Sequence, residues 1–340
     1  MTETPPRVPA PSAEEFLNRY VRRGRPAVFT RLFQGQPIHD FRTRDAALER
    51  LGDLPITVTE PYHAGGFAAF RPDAPPPRAV RTTLAGYFQD DSPLLCLEQP
   101  TPPELRRTFD VPGYRRALGG EPCDGWESRL FAGHKGKVSN LHFDADFRGV
   151  LLHQVFGVKR LVWVPPAQSA KLLPFMNLSL LLPGRLTEDD RREWLGYVHA
   201  AECVLLPGDT AFIPTAYWHH AEYVEDSLSV NLRLPRNPFT RAIGGRDVHK
   251  TWRLGCVAAS SPDPTAMTGA DRADLDLVRR TLRHPGTPRE RLDLMEETIR
   301  TLYERRCPGL PAQAYADTSR ALDEETVWTR LIDEGVLYGP

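Results

Sequence analysis

Cysteine and lysine are both scarce in this 340-residue chain, and neither residue is grouped. The five cysteines, Cys96, Cys123, Cys203, Cys256 and Cys307, form no C-x-x-C pair and are odd in number. That argues against a disulfide framework or a structural zinc module and suits a reducing, cytoplasmic setting. No apolar run approaches the ~20 residues that cross a bilayer, and the first residues carry no apolar leader. A charge excess is missing as well: 43 basic residues stand against 44 acidic ones. The chain therefore has no global pull toward nucleic acid or an anionic membrane. Basic residues are almost all arginine, with lysine only at Lys135, Lys137, Lys159, Lys171 and Lys250. With abundant Pro and Ala, that bias suits a GC-rich bacterial genome. No internal repeat is present.

The length suffices for one large core. Residues 1–11 are Pro-rich and read as a flexible tail. Ser12-x-x-Glu15 is a capping box; it opens a helix with Phe16, Leu17, Tyr20 and Val21 on one face, closed by Gly24. Short strands with interspersed helices follow, interrupted by a Pro-rich excursion at residues 71–77. Leu172, Leu173, Phe175, Leu178, Leu180, Leu181 and Leu182 form an apolar patch, read as core or dimer contact, with a substrate lid as the lesser reading. A charged helix is expected over residues 187–199. From residue 255 to 340 the pattern turns helical, with Leu275, Val278 and Leu282, then Leu292, Met295, Ile299 and Leu302, then Val327, Trp328, Leu331 and Ile332 at helical spacing. Thr287-Pro288-x-Glu290 marks a helix start.

The chemistry concentrates in His142-Phe143-Asp144 and, far downstream, His219. In an extended strand alternate side chains share a face, so His142 and Asp144 project together while Phe143 turns into the opposite layer. A third ligand from a distant strand makes a two-histidine, one-carboxylate face, the ligand set of non-haem Fe(II) oxygenases. Read alone, the H-x-D triplet is better explained as a polar pair on a sheet surface, because most such triplets bind nothing. Its setting weighs for a metal: Val150–Phe156, a Gly157 turn and Leu161–Val164 read as a hairpin. Leu205-Leu206-Pro207-Gly208-Asp209 then turns into a strand ahead of Tyr217-Trp218-His219-His220 and Leu228–Arg233. Only one of the adjacent His219 and His220 can face the site. His153 is expected to be packed rather than ligating.

Together these segments resemble the cupin-like Jumonji C family of 2-oxoglutarate-dependent oxygenases, nearest to its asparaginyl-hydroxylase-like branch. The likeness runs over about residues 12–245, including the opening helix, Gly24–Phe29 and Leu94–Pro100. It implies a mainly β fold with α additions: a double-stranded β-helix, or jelly roll, over residues 12–254, plus a helical extension over 255–340 through which relatives dimerise. The family pattern selects His219 as the third ligand. The resemblance further implies that Ser139 and Asn231 help hold 2-oxoglutarate and that Lys159 pairs with its far carboxylate. Residues 144–159 are two residues longer than the usual pattern. The insertion Asp146-Phe147-Arg148 lies beside the expected pocket, so Asp146, Arg148 and Trp218 are candidate substrate contacts.

The resemblance thus implies an Fe(II)- and O2-using hydroxylase that turns 2-oxoglutarate into succinate and carbon dioxide while oxidising a C–H bond. The substrate would be a protein side chain, a peptide or an amino-acid-like metabolite. Asp144 argues against the halogenating variant, in which a small residue replaces that carboxylate. No chromatin-reading module accompanies the motifs, which points away from histone lysine demethylation. Two other readings stand: a non-catalytic cupin that binds a ligand or partner, and a metal cupin dioxygenase or isomerase that does without 2-oxoglutarate.

Overall fold

A computed structural model describes residues 4–60, 78–118, 126–144, 148–165, 183–214 and 217–235, with scattered positions at 168–179 and 273–301. The N-terminal part runs β1 (Arg7–Pro9), α1 (Ala13–Glu15), β2 (Ala27–Thr30), α2 (Arg44–Leu51), β3 (Pro55–Thr59), β4 (Ala79–Thr83) and α3 (Leu84–Gln89). Then come β5 (Cys96–Pro100), α4 (Pro103–Arg106), α5 (Pro112–Ala117), β6 (Glu127–Gly133), β7 (Val138–His142), β8 (Val150–Phe156) and β9 (Lys159–Val164). After β10 (Pro174–Phe175), β11 (Leu178–Ser179) and α6 (Glu188–Tyr197), the chain closes with β12 (Ala201–Leu205), β13 (Asp209–Ile213), β14 (Trp218–Tyr223) and β15 (Ser227–Arg233).

Two sheets carry the fold. The larger has strand order β1-β2-β13-β8-β15-β6-β5 and the smaller β10-β11-β7-β14-β9-β12. From β6 to β9, and again from β12 to β15, successive strands alternate between the sheets. That alternation makes a double-stranded β-helix with helices added, as the sequence led us to expect.

The expected hairpin at Gly157 is corrected by this topology. β8 pairs with β13 and β15, whereas β9 pairs with β12 and β14. The Gly157 turn therefore carries the chain from one sheet to the other. Its φ of +72° is left-handed, and a Cβ there would lie 1.9 Å from the Asp226 carbonyl oxygen. That carbonyl belongs to the turn joining β14 to β15, so two inter-sheet crossings pack against each other and only glycine fits between them.

The tail expectation is corrected as well. Residues 7–9 add a parallel strand to β2, and Arg7 bridges to Asp209 at the start of β13. Strand-edge amides gain ladder partners there, which orders a segment that composition marks as loose. Ser12 does cap: its hydroxyl accepts from the Glu15 amide at 3.1 Å, and the helix continues as a wider π-type turn over Phe16–Val21. The charged helix forms as α6, capped by Thr187.

Apolar side chains divide between two layers. Ala27, Phe29, Leu151, Val155, Phe212, Leu228, Val230 and Leu232 face away from the small sheet, into a core shared with Phe16, Tyr20, Leu51 and Tyr87. Val28, Val150, Leu152, Leu161, Trp163, Ala211, Ile213 and Ala221 fill the space between the sheets. The large sheet is thus covered on both faces, which explains the unbroken buried runs of β8 and β15. Of the leucine patch, Leu172 is fully buried; Leu173 and Leu180–Leu182 lie outside the described residues, as do the residue 71–77 excursion and most of 255–340. Described positions such as Leu277, Leu294 and Thr298 in that extension are helical.

Gly157→Ala should destabilise the fold by about 2–4 kcal/mol through the αL conformation and the clash together. Gly136, at φ +80° but with nothing near its Cβ, should cost only about 1–2 kcal/mol when changed to Ala. Urea denaturation of the two variants checks the difference; equal losses would remove the close-packed crossing from the explanation.

Candidate metal centre

β14 lies between β7 and β9 in the small sheet. Its register sets His219 opposite His142 on one side and opposite Trp163 on the other. Ala221 and Tyr223 share the His219 face, since side chains alternate, and Ala221 lies in the layer between the sheets. His219 therefore points inward. His220 points outward, where its Nε2 lies 3.2 Å from Glu222. Arg191 of α6 joins Glu222 and Glu202 in the same outer-face network. Burial pushes the Glu222 carboxyl up, but the His220 hydrogen bond and Arg191 outweigh it and hold the pKa down at about 2. Strand parity alone left the two histidines undecided; this network separates them.

His142, Asp144 and His219 each offer a ligand atom, and the three atoms lie within 4.8 Å of one another. The two imidazoles are 4.2 Å apart between centroids. Each has its Nδ1 against a backbone carbonyl, His142 on Asn140 at 2.6 Å and His219 on Tyr217 at 3.1 Å. A carbonyl only accepts, so Nδ1 carries the proton and Nε2 keeps its lone pair for a ligand. Burial works to raise the Asp144 pKa, yet Arg233, His219, His142 and Arg148 overcome it and hold the carboxyl below its ordinary value. Two imidazole nitrogens and a carboxylate held below its ordinary pKa suit a divalent first-row metal.

Asp144 is not itself in a strand, since β7 ends at His142. Ser139, by contrast, reaches the inner face through an irregularity. His219 pairs with His142 but Ala221 pairs with Ser139, so β7 holds one extra residue there. Without that bulge, odd spacing would put Ser139 and His142 on opposite faces.

Lys159 lies opposite Tyr223, 2% exposed, with its ammonium 4.1 Å from the Tyr223 ring and 5.9 Å from that of Phe131. No carboxylate or carbonyl among the described residues pairs with it. Burial pulls its pKa down to about 7, partly offset by Cys96. A buried ammonium is costly unless an anion pairs with it, and the alternative is loss of its proton. Asn231 is 3% exposed; its Oδ1 accepts from the Arg129 amide at 2.9 Å, which leaves its NH2 as a donor.

Two further candidates are engaged within the protein. Arg148 is buried and binds the carbonyls of Leu234 and Arg233 and the carboxylate of Glu127; it ties the end of β15 to the start of β6. Trp218, expected beside the pocket, packs edge-on against Phe143 at 4.9 Å, on the reverse face from His219. Parity next to a ligand requires that, because neighbouring residues of a strand cannot share a face. Asp146 lies outside the described residues. His153 is packed, as expected: its ring meets Phe33, its Nδ1 lies 2.9 Å from Thr210 Oγ1, and burial pushes its pKa down to about 3.

Sequence reasoning missed Arg233 and Tyr223. Arg233 Nη2 lies 3.7 Å from Asp144 Oδ1 and 2.6 Å from both carboxylate oxygens of Glu98. Its signal was available, since Arg233 stands two residues after Asn231 and so on the same face.

A family model for the cupin-like domain matches residues 12–232. Jumonji C domain-containing protein 5 of Drosophila melanogaster is 24% identical over 242 residues, 66% of this chain and 58% of that protein. Lysine-specific demethylase 8 of Xenopus tropicalis is 30% identical over 133 residues, 38% of this chain and 29% of that protein. An arginine-specific demethylase of Arabidopsis thaliana is 23% identical over 250 residues, 66% of this chain and 44% of that protein. The chain thus spans between 29% and 58% of the length of these relatives.

If the triad holds iron, removing His219 or Asp144 should abolish its retention, because each offers one of the three candidate ligand atoms. His220→Ala should keep the metal yet lose about 1–3 kcal/mol of stability, through the outer network it leaves unsatisfied. Elemental analysis alongside thermal melts checks both; full iron occupancy in Asp144→Ala would sink the triad.

Proposed function

Because the chain belongs to the cupin-like domain family, we propose that it is an Fe(II)- and 2-oxoglutarate-dependent oxygenase that hydroxylates a C–H bond. One observation carries the reading: a buried ammonium without an acid partner shares the inner face of the small sheet with a two-histidine, one-carboxylate triad. A metal alone would account for the triad. An anionic cosubstrate accounts for Lys159, and a 2-oxo dicarboxylate fits a metal at one end and an ammonium at the other. The residues present fit both groups.

His142, Asp144 and His219 would hold the iron, and Lys159, Ser139 and Asn231 the 2-oxoglutarate. Iron and 2-oxoglutarate, when bound with O2, would supply oxidative decarboxylation to succinate and carbon dioxide coupled to oxidation of a substrate carbon. The chain's own part is to bind, orient and exclude water. Backbone carbonyls hold both imidazoles in the ligating tautomer. Lys159 supplies one positive charge in a dry wall of Tyr223 and Phe131, where an ion pair is stronger than in water. Asn231 keeps its NH2 free of the Arg129 amide on the large sheet, and Ser139 lies opposite Ala221 in the small one.

The substrate class is a protein side chain, a peptide or an amino-acid-like metabolite. The names of two relatives support a second outcome of the same chemistry: oxidation at an N-methyl carbon, which breaks down to formaldehyde and leaves the amine demethylated. Mass spectrometry distinguishes the two, since hydroxylation adds one oxygen atom to the product and demethylation removes a methyl group with release of formaldehyde. Succinate formation measures turnover in either case.

The test is an anaerobic titration of the Fe(II) protein with 2-oxoglutarate, read by the metal-to-ligand charge-transfer band. Wild-type protein with bound iron and no band would leave a metal cupin that does without 2-oxoglutarate. Protein with no iron uptake would leave a non-catalytic binder. Lys159→Ala should raise the 2-oxoglutarate requirement on the order of a hundredfold or more with iron content unchanged. Lys159→Arg should keep part of the affinity, because the charge survives while the geometry changes.

A pH dependence follows from the same lysine. In the free protein it loses its proton near pH 7, whereas pairing with a carboxylate favours the ammonium and draws a proton back on binding. Affinity for 2-oxoglutarate should therefore weaken above pH 7, by up to about tenfold per pH unit, and level off below it. A flat profile from pH 7 to 9 would remove Lys159 from the cosubstrate site.

A further inference from the structure

We propose that Arg233, held by Glu98, is a positioning residue for the Asp144 carboxylate; the inference rests on reading His142, Asp144 and His219 as a metal triad. The histidines are oriented by their own strands and by backbone carbonyls. Asp144 has no such support, since β7 ends two residues before it. Among the described residues, its one partner at ion-pair distance is Arg233, 3.7 Å away on the facing sheet.

Arg233 is itself fixed. Its Nη2 sits 2.6 Å from each oxygen of Glu98, and its side chain is 10% exposed against 45% for Glu98. The guanidinium is thus a strut from the rim of the barrel to the ligand carboxylate. Glu98 reaches it from a shift in register between Cys96 and Gln99, where β5 bulges against β6, with φ at +57°.

The pairing answers two requirements at once. A carboxylate drawn toward a fixed cation at one oxygen offers the other to a metal, so ligation through a single atom is favoured and coordination sites stay open. A bare guanidinium so close would repel a dication, and the Glu98 carboxylate cancels that charge while holding the fork in place. Arg233 and Glu98 therefore orient Asp144 with little net charge of their own.

The experiment measures Mn(II) affinity of the full chain by electron paramagnetic resonance, without 2-oxoglutarate, with circular dichroism and thermal melts as checks on folding. Arg233→Met should weaken Mn(II) binding by about 10–100-fold, the usual range for losing the partner of a metal ligand. Arg233→Lys should recover part of that loss. Glu98→Gln should weaken binding by a smaller factor, since the cation stays but is neither neutralised nor held. Affinity in Arg233→Met within about twofold of wild type, or tighter, would overturn the proposal, because a rim ion pair or a repelling cation predicts those results. If Arg233→Met does not fold, Glu98→Gln decides alone: unchanged affinity overturns the proposal and weaker affinity supports it. Wild-type protein that takes up no Mn(II) would remove the triad reading and this proposal with it, a failure distinct from loss in the variants alone.

Discussion

The register of one strand governs the site. β14 runs between β7 and β9, and the same ladder that sets His219 opposite His142 sets Tyr223 opposite Lys159. A slip of one residue would turn His220 inward, send His219 out, and move Tyr223 away from the lysine. The candidate metal ligand and the buried lysine are thus tied to a single hydrogen-bonding pattern. What guards the pattern is on the other face, where His220, Glu222, Glu202 and Arg191 form a partly buried polar network with α6. Glu222 and His220 cannot turn into the apolar layer of Leu161, Trp163 and Ala221 without leaving charge unpaired. The network behind the sheet thereby specifies which histidine serves the front.

Charge is spread unevenly between the two sheets. At one end of the inner face stands Lys159 without an acid. At the other, Arg233 pairs with Glu98 and Asp144, and Arg148 pairs with Glu127. Linked groups are satisfied within the protein, whereas Lys159 has no acid partner among the described residues. The triad lies nearer the linked end, so a ligand that reaches from metal to Lys159 would cross the apolar stretch between them. That division separates the part of the interior that holds the candidate metal triad from the part that holds the unpaired lysine.

Much of this was legible beforehand, for a physical reason in each case. Ser12 announces a helix start because a side-chain acceptor for free amides is a local need. His142 and Asp144 with His219 stand out because few side chains ligate iron and their pattern is compact. Lys159, one of five lysines, is conspicuous before an apolar strand. Other features were hidden. The Gly157 turn looks like a hairpin because a glycine with left-handed φ serves equally to reverse a strand within one sheet or to carry it to another. Ser139 shares a face with His142 only through a bulge, which breaks the alternation that sequence reasoning relies on. Glu98 and Arg233 are 135 residues apart, so no local pattern connects them.

Sequence by itself determined the ingredients: a chain of short β segments, a three-residue iron-type donor set, one isolated lysine, and helix caps. These depend on side-chain chemistry and on contacts a few residues long. Tertiary structure decided the rest. It chose His219 over His220 through the network on the reverse face, put Trp218 behind the sheet, and turned Arg148 into a brace between strand ends. It paired residues 7–9 with β2 and brought Glu98, Arg233 and Asp144 into line. Each of these outcomes depends on which strands are neighbours and in what register, and neighbours distant in sequence are set by the packing of the whole barrel.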